Sequence, residues 1–339
     1  MRARVYTAEQ VEDHGIVTVR LTDALRGIEV AIAPSIGNRA YEILAGGSNI
    51  LYFPHEQPAA LEADCRLSGI PFLAPWANRM PGGFFANGKH YPANPDSGAL
   101  RLDANGIPIH GLLTASPYWQ VVDIGSSASS AHVTSRLQFW KHAALAANWP
   151  LAHEYEMTYR LSEGVIEVTV TITNLCADPM PIAVGFHPYF QLPHVPLESA
   201  TARIPVRSRI EMDDKLIATG ATTAVHFPNE IALKDHRFDM GFTDLIRGDD
   251  GRAVFSIGAD GKKIEVAFGP RYTVAIVYAP PGQNYICFEP MSAPTNGINL
   301  AHQGKYAGLQ AISCGECWQE SFWIRPEGFT APAQDPKSP

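Results

Sequence analysis

The sequence predicts an all-β fold, an antiparallel sandwich or barrel, from three observations. Short stretches of alternating apolar and polar residues recur along the chain. Turn residues separate them, with 27 prolines and 28 glycines spread through 339 residues, too dispersed for a disordered chain. No convincing amphipathic helix, of about twelve residues or more, falls between the stretches to build a βαβ unit.

Taken in order, Gly27 to Ala33 reads as a short strand, and Pro58 to Cys65 as a turn or two of helix at most. Tyr155, Met157, Tyr159 and Leu161 alternate with Glu154, Glu156, Thr158 and Arg160. After Ser162-Glu163-Gly164, Ile166, Val168, Val170 and Ile172 alternate with Glu167, Thr169, Thr171 and Thr173. A period of two on both sides of a Gly-containing turn predicts a hairpin with one buried face. Val254 to Ile257 and Ile264 to Phe268, joined around Asp260-Gly261, predict a second. Thr273 to Tyr278 adds a further strand. No repeat or composition break divides the chain, so one domain is expected over residues 1–325. The Pro-rich polar segment 326–339 is expected to be a flexible tail.

Apolar residues at 46% and charged ones at 18% suit a globular core. A formal charge of −8 lacks the clustered basic footprint of a nucleic-acid binder. No uncharged apolar run approaches the roughly 20 residues of a membrane span. The first residues show no apolar signal region, and the five cysteines have no framework spacing. A cytoplasmic protein with reduced thiols, bound to neither membrane nor nucleic acid, is therefore expected. The absence of a GxGxxG or P-loop removes nucleotide cofactors. Cys314-Gly315-Glu316-Cys317 has no second CxxC or nearby His pair to complete a zinc site, so no metal is expected.

Four clusters carry candidate chemistry. Ile70 to Met80 is an apolar, Pro-rich stretch containing Asn78-Arg79, where a lone Arg is commonly a solvated charge. Ile109-His110-Gly111 has the look of a structural turn. Gly185-Phe186-His187-Pro188-Tyr189-Phe190 sets an imidazole among aromatic rings, which favours its neutral form. Ile286-Cys287-Phe288-Glu289-Pro290-Met291 ends an apolar strand in a carboxylate, a group rarely buried without a partner. His187 and Glu289 each precede a proline, which holds both in extended backbone.

Together these segments resemble the aldose 1-epimerase (galactose mutarotase) family. GIPFLAPWANRMPGGFFANGKHYP, GIPIHGLL, TNLCADPMPIAVGFHPYF and FEPMSAPTNGIN follow one another in the family's order, and the resemblance runs from about Gly27 to Ile324. It implies an antiparallel β-supersandwich with a concave sugar site and neither metal nor cofactor. Opening a cyclic hemiacetal needs one base at the C1 hydroxyl and one acid at the ring oxygen. Glu289 takes the first role and His187 the second, with the Glu289 charge expected to help keep the imidazole protonated. At positions matching the family's, Asn78, Arg79 and His110 are expected to bind the sugar. In HRFDMGFTDL the matching carboxylate is Asp239, with Asp244 the alternative. Tyr189 or Trp76 could stack on a sugar face or belong to the core.

Two rivals remain open. A hexose-6-phosphate 1-epimerase would need extra cations, for which Arg66, Arg101 and Arg237 are candidates. A non-catalytic sugar-binding module would have no use for both Glu289 and His187. The partner expected is a small sugar, with the chain a monomer or homodimer.

Overall fold

A computed structural model describes residues 5–60 and 67–329. Both predicted hairpins are present. His153–Ser162 pairs with Val165–Asn174, and Ala253–Ala259 with Lys262–Phe268, each antiparallel. The two expected single strands form at Ile28–Ala33 and Val274–Ala279. Among the described residues the longest helix is Gly297–His302. The expected helical turn at Pro58 to Cys65 falls largely outside the described residues. The last strand, Cys317–Glu327, continues past the boundary drawn at Arg325, because Pro326 and Glu327 pair with Ile264 and Lys263.

These hairpins build two large antiparallel sheets. One places Cys317–Glu327 between Lys262–Phe268 and Val165–Asn174, with Gln120–Ser126 at its far edge. The other runs from Ala218–Ala224 through Val206–Met212, Phe238–Leu245, Val274–Ala279 and Ile286–Met291 to Gly185–Phe186 and Phe72–Leu73. A five-stranded meander over residues 6–49 packs its apolar face into the same core, through Val19, Leu21, Val30 and Ile43. The strand Val165–Asn174 buries Ile166, Val168, Val170 and Ile172, the four residues of the predicted inward face.

Ile286–Met291 shows no such alternation: all six residues are buried, because both faces of the strand are covered. Phe186 fastens the two large sheets. Its ring lies 4.9 Å from that of Phe72 on its own sheet and 4.8 Å from that of Phe322 on the other. Fully buried, it sits one residue before His187. We predict that Phe186→Ala costs about 3–5 kcal/mol of unfolding free energy, as measured by denaturant titration; a loss below about 1 kcal/mol would show that the sheets are not joined there.

Candidate active site

The register of three strands brings His187 to Glu289. Gly185 pairs with Met291 and Tyr189 with Cys287, so the residue midway between the first two faces the one midway between the second two. The His187 Nε2 atom lies 3.3 Å from Glu289 Oε1. Glu289 also pairs with Ile276, and its neighbours two residues away join the row Asp239, Tyr278, Cys287, Tyr189 across the sheet. Residues opposite one another, or two apart along a strand, share a face. Asp239, Tyr278 and Tyr189 therefore lie on the face that carries Glu289.

That face is the floor of a cleft of about 540 Å³. Asn78, Arg79, His110, His187, Tyr189, Asp239 and Glu289 all line it. Its second wall comes from two segments held together by the Arg79–Ile109 bridge and by the His110 N–H donating to the Asn78 carbonyl at 2.9 Å. Asn78 and His110 both adopt left-handed backbone, with φ of 55° and 63°. Such strain in non-glycine residues persists only where surrounding contacts enforce it. Gly111 follows at φ 68°, where a Cβ would collide with the backbone of Ala74. Glycine is therefore required beside His110.

Asp103, a residue the sequence did not single out, holds Arg79. The Arg79 Nε–H donates to its Oδ2 at 2.6 Å, while the backbone N–H groups of Asn105 and Ile107 donate to its Oδ1. These bonds keep the Asp103 carboxyl below its ordinary pKa, against the opposing effect of burial. The Asp103-to-Gly106 turn was a readable signal for a fixed carboxylate, but its Arg partner was not.

Burial dominates the electrostatics of the pair. It pushes the Glu289 carboxyl well above its ordinary pKa, helped by the negative charge of Asp239. It lowers His187 to about 3 and His110 well below the usual imidazole value, with the His187 ring adding to the effect on His110. The expectation that Glu289 keeps His187 protonated is thus corrected: without sugar, desolvation outweighs the mutual attraction and favours the uncharged form of each. The Glu289 Oε2, His187 Nδ1, His110 Nδ1 and Asn78 Nδ2 atoms are buried without a hydrogen-bond partner.

The aromatic expectations divide. Trp76 is 2% exposed, stacks on Trp149 and lies outside the cleft lining, so it is a core residue. Tyr189 lines the cleft, but its ring is stacked on the His187 imidazole, centroids 4.6 Å apart and planes 6° from parallel. Its hydroxyl lies 3.4 Å from His187 Nε2. Of the two carboxylate alternatives Asp239 lines the cleft, whereas Asp244 accepts from the Ser208 hydroxyl and does not. Among the proposed extra cations Arg101 lines the cleft, Arg237 is exposed outside it, and Arg66 lies outside the described residues. Tyr52, Tyr278 and Tyr285, which no sequence motif marked, complete the aromatic lining.

Cys314 is exposed in a turn, and Cys317, also exposed, opens the last strand. A different set, His187, Cys287 and Glu289, places its ligand atoms within 4.8 Å of one another and could approach a divalent ion. Burial that keeps both the Cys287 thiol and the Glu289 carboxyl protonated works against such binding, because metal ligands must lose their protons.

Residues 57–325 match the family model described as aldose 1-epimerase. A galactose mutarotase-like protein from Clostridium acetobutylicum is 20% identical, with a TM-score of 0.82 over 95% of this chain and 98% of its own. The Slr1438 protein from Synechocystis is 24% identical, with a TM-score of 0.72 over 96% and 99%. Galactose 1-epimerase from Lactobacillus acidophilus is 14% identical, with a TM-score of 0.74 over 95% and 98%. These likenesses establish a galactose mutarotase-like fold.

The raised Glu289 pKa has a consequence for stability. A carboxyl harder to ionise in the folded state costs stability as pH rises above its ordinary value of 4.5, and costs nothing below it. Glu289→Gln should therefore melt at or above the wild-type temperature at pH 8, with any gain shrinking at pH 4. A variant that melts lower than wild type at pH 8 would contradict the burial cost.

Proposed function

The chain belongs to the aldose 1-epimerase family, and on that premise we propose that it interconverts the α and β anomers of a free aldose by opening and reclosing the sugar ring. The observation that carries the reading is the 3.3 Å approach of His187 Nε2 to Glu289 Oε1 at the floor of an open cleft.

The chemistry needs one proton shared by the two groups. The neutral pair, protonated Glu289 beside neutral His187, holds the same number of protons as carboxylate beside imidazolium. A sugar hydroxyl donating to Glu289 Oε2, which has no protein partner, favours the carboxylate. The proton then resides on His187. Glu289 removes the C1 hydroxyl proton as His187 protonates the ring oxygen, and the C1–O5 bond breaks to give the open-chain aldehyde. After rotation about C1–C2, the C5 hydroxyl returns its proton to His187 and attacks the opposite carbonyl face. Glu289 reprotonates the new C1 hydroxyl, and the pair is restored. Arg79, fixed by Asp103, together with Asn78, His110 and Asp239, positions the remaining hydroxyls. Tyr189 fixes the plane of the imidazole.

One feature favours a free sugar over a 6-phosphate, and another favours an enzyme over a binding module. Among the described residues of the lining the cations are Arg79 and Arg101, and Arg79 Nε already donates to Asp103. Phosphate recognition calls for cations able to bond it bidentately. The costly burial of an acid–base pair also has no purpose in a module that only binds sugar.

Polarimetry of freshly dissolved α-D-galactose and α-D-glucose tests the proposal. The protein should accelerate equilibration of at least one of them, and Glu289→Gln should slow the catalysed rate roughly a hundred- to ten-thousand-fold. Acceleration of neither sugar, or an unimpaired Glu289→Gln variant, rejects it.

A further inference from the structure

Three of the five cysteines, Cys176, Cys314 and Cys317, gather at one end of the sheet built on Val165–Asn174, outside the cleft lining. Val165–Asn174 and Cys317–Glu327 pair down to Thr173 opposite Cys317. One residue further on, two turn bonds end the ladder. The Asn174 N–H donates to the Glu316 carbonyl at 3.1 Å, and the Gly315 N–H donates to the Asn174 carbonyl at 3.0 Å. The Asn174 side chain ties both turns. Its Oδ1 accepts from the Cys176 N–H at 2.9 Å, and its Nδ2 donates to the Asp178 and Ile312 carbonyls, each at 2.9 Å. Counted outward from Asn174 and Glu316, Cys176 and Cys314 each stand two residues on, where the same register would set them opposite one another.

We propose that Cys176 and Cys314 form an oxidation site, which a hydroperoxide closes into a disulfide. Opposed residues of an antiparallel pair have Cα atoms about 4.5–5.5 Å apart, within the roughly 4.4–6.8 Å that a disulfide spans. Burial raises the Cys176 pKa, and the negative charges of Asp178 and a Cys314 thiolate raise it further, so the two sulfurs are within electrostatic reach. Exposure assigns the roles. Cys314 is exposed, so its sulfur takes one oxygen of hydrogen peroxide, giving S–OH and one water. Cys176 is half-buried, and its thiol donates to the Ala152 carbonyl at 3.3 Å. Its sulfur gives up that bond and attacks Cys314 sulfur. The S–O bond breaks, and the hydroxyl leaves with the Cys176 proton as a second water. Two thiols are oxidised and one peroxide is reduced. Cys317 is the rival partner, but the ladder holds it opposite Thr173. Asn174 already binds the two turns together, so the disulfide closes without moving the strands.

The test treats the native full-length chain with hydrogen peroxide, denatures it, alkylates the remaining thiols and maps the unreduced peptides by mass spectrometry. The free-thiol count should fall by two, and the peptides bearing Cys176 and Cys314 should appear cross-linked until dithiothreitol separates them. Cys317→Ser should leave this cross-link intact, whereas Cys176→Ser and Cys314→Ser should each abolish it. A Cys314–Cys317 link in the wild-type chain overturns the assignment. So does sulfinic or sulfonic acid on Cys314 with Cys176 still free.

Discussion

Gly185–Phe186 and Tyr189–Phe190 pair with Ile286–Met291 in a single register, and that register carries an imidazole to a carboxyl from positions about a hundred residues distant in the chain. Everything else at the site is arranged around this meeting. Backbone ladders tolerate no slip of one residue without turning every side chain to the opposite face. The two large sheets, joined through Phe186 beside His187, therefore fix the distance between the two groups more firmly than a pair of loops could. The same sheet sets Asp239 and Tyr278 on the face of Glu289.

This placement has a thermodynamic cost. Both members of the pair are buried, and desolvation opposes charge on each. The proposed proton exchange draws on that opposition, since the neutral pair and the ion pair hold the same proton and ligand hydrogen bonds can shift it between them. The supporting contacts maintain geometry under this load. Tyr189 stacks on the imidazole, His110 meets the His187 ring edge-on, and Asp103 holds the guanidinium of Arg79. The left-handed backbone at Asn78 and His110 is a further expense, sustained by the hydrogen bond between those segments.

Much of this was legible in the sequence, for identifiable reasons. Period-two alternation revealed the hairpin of Val165–Asn174 because one face of that strand is solvated. The strand bearing Glu289 gave no such pattern, since both of its faces are buried, but a carboxylate in an apolar run marked it instead. The His-Pro and Glu-Pro contexts, with Asn78-Arg79 and His110-Gly111, pointed to residues that meet in one cleft. Long-range partners were not legible. Nothing near Asp103 announces Arg79, and Tyr52 and Tyr285 reach the cleft only through the fold. Trp76 belongs to the core because Trp149, far along the chain, covers it. The charge state of His187 was misjudged because proximity of a carboxylate is visible in a motif, whereas complete burial of both groups is not.

The most direct test of the shared-proton account is an NMR titration of the His187 ring nitrogens in sugar-free protein, assigned with a His187→Gln control. The account predicts a neutral imidazole from pH 8 down through pH 4, becoming cationic only near its lowered pKa of about 3. A His187 that is already imidazolium at pH 6 would contradict it.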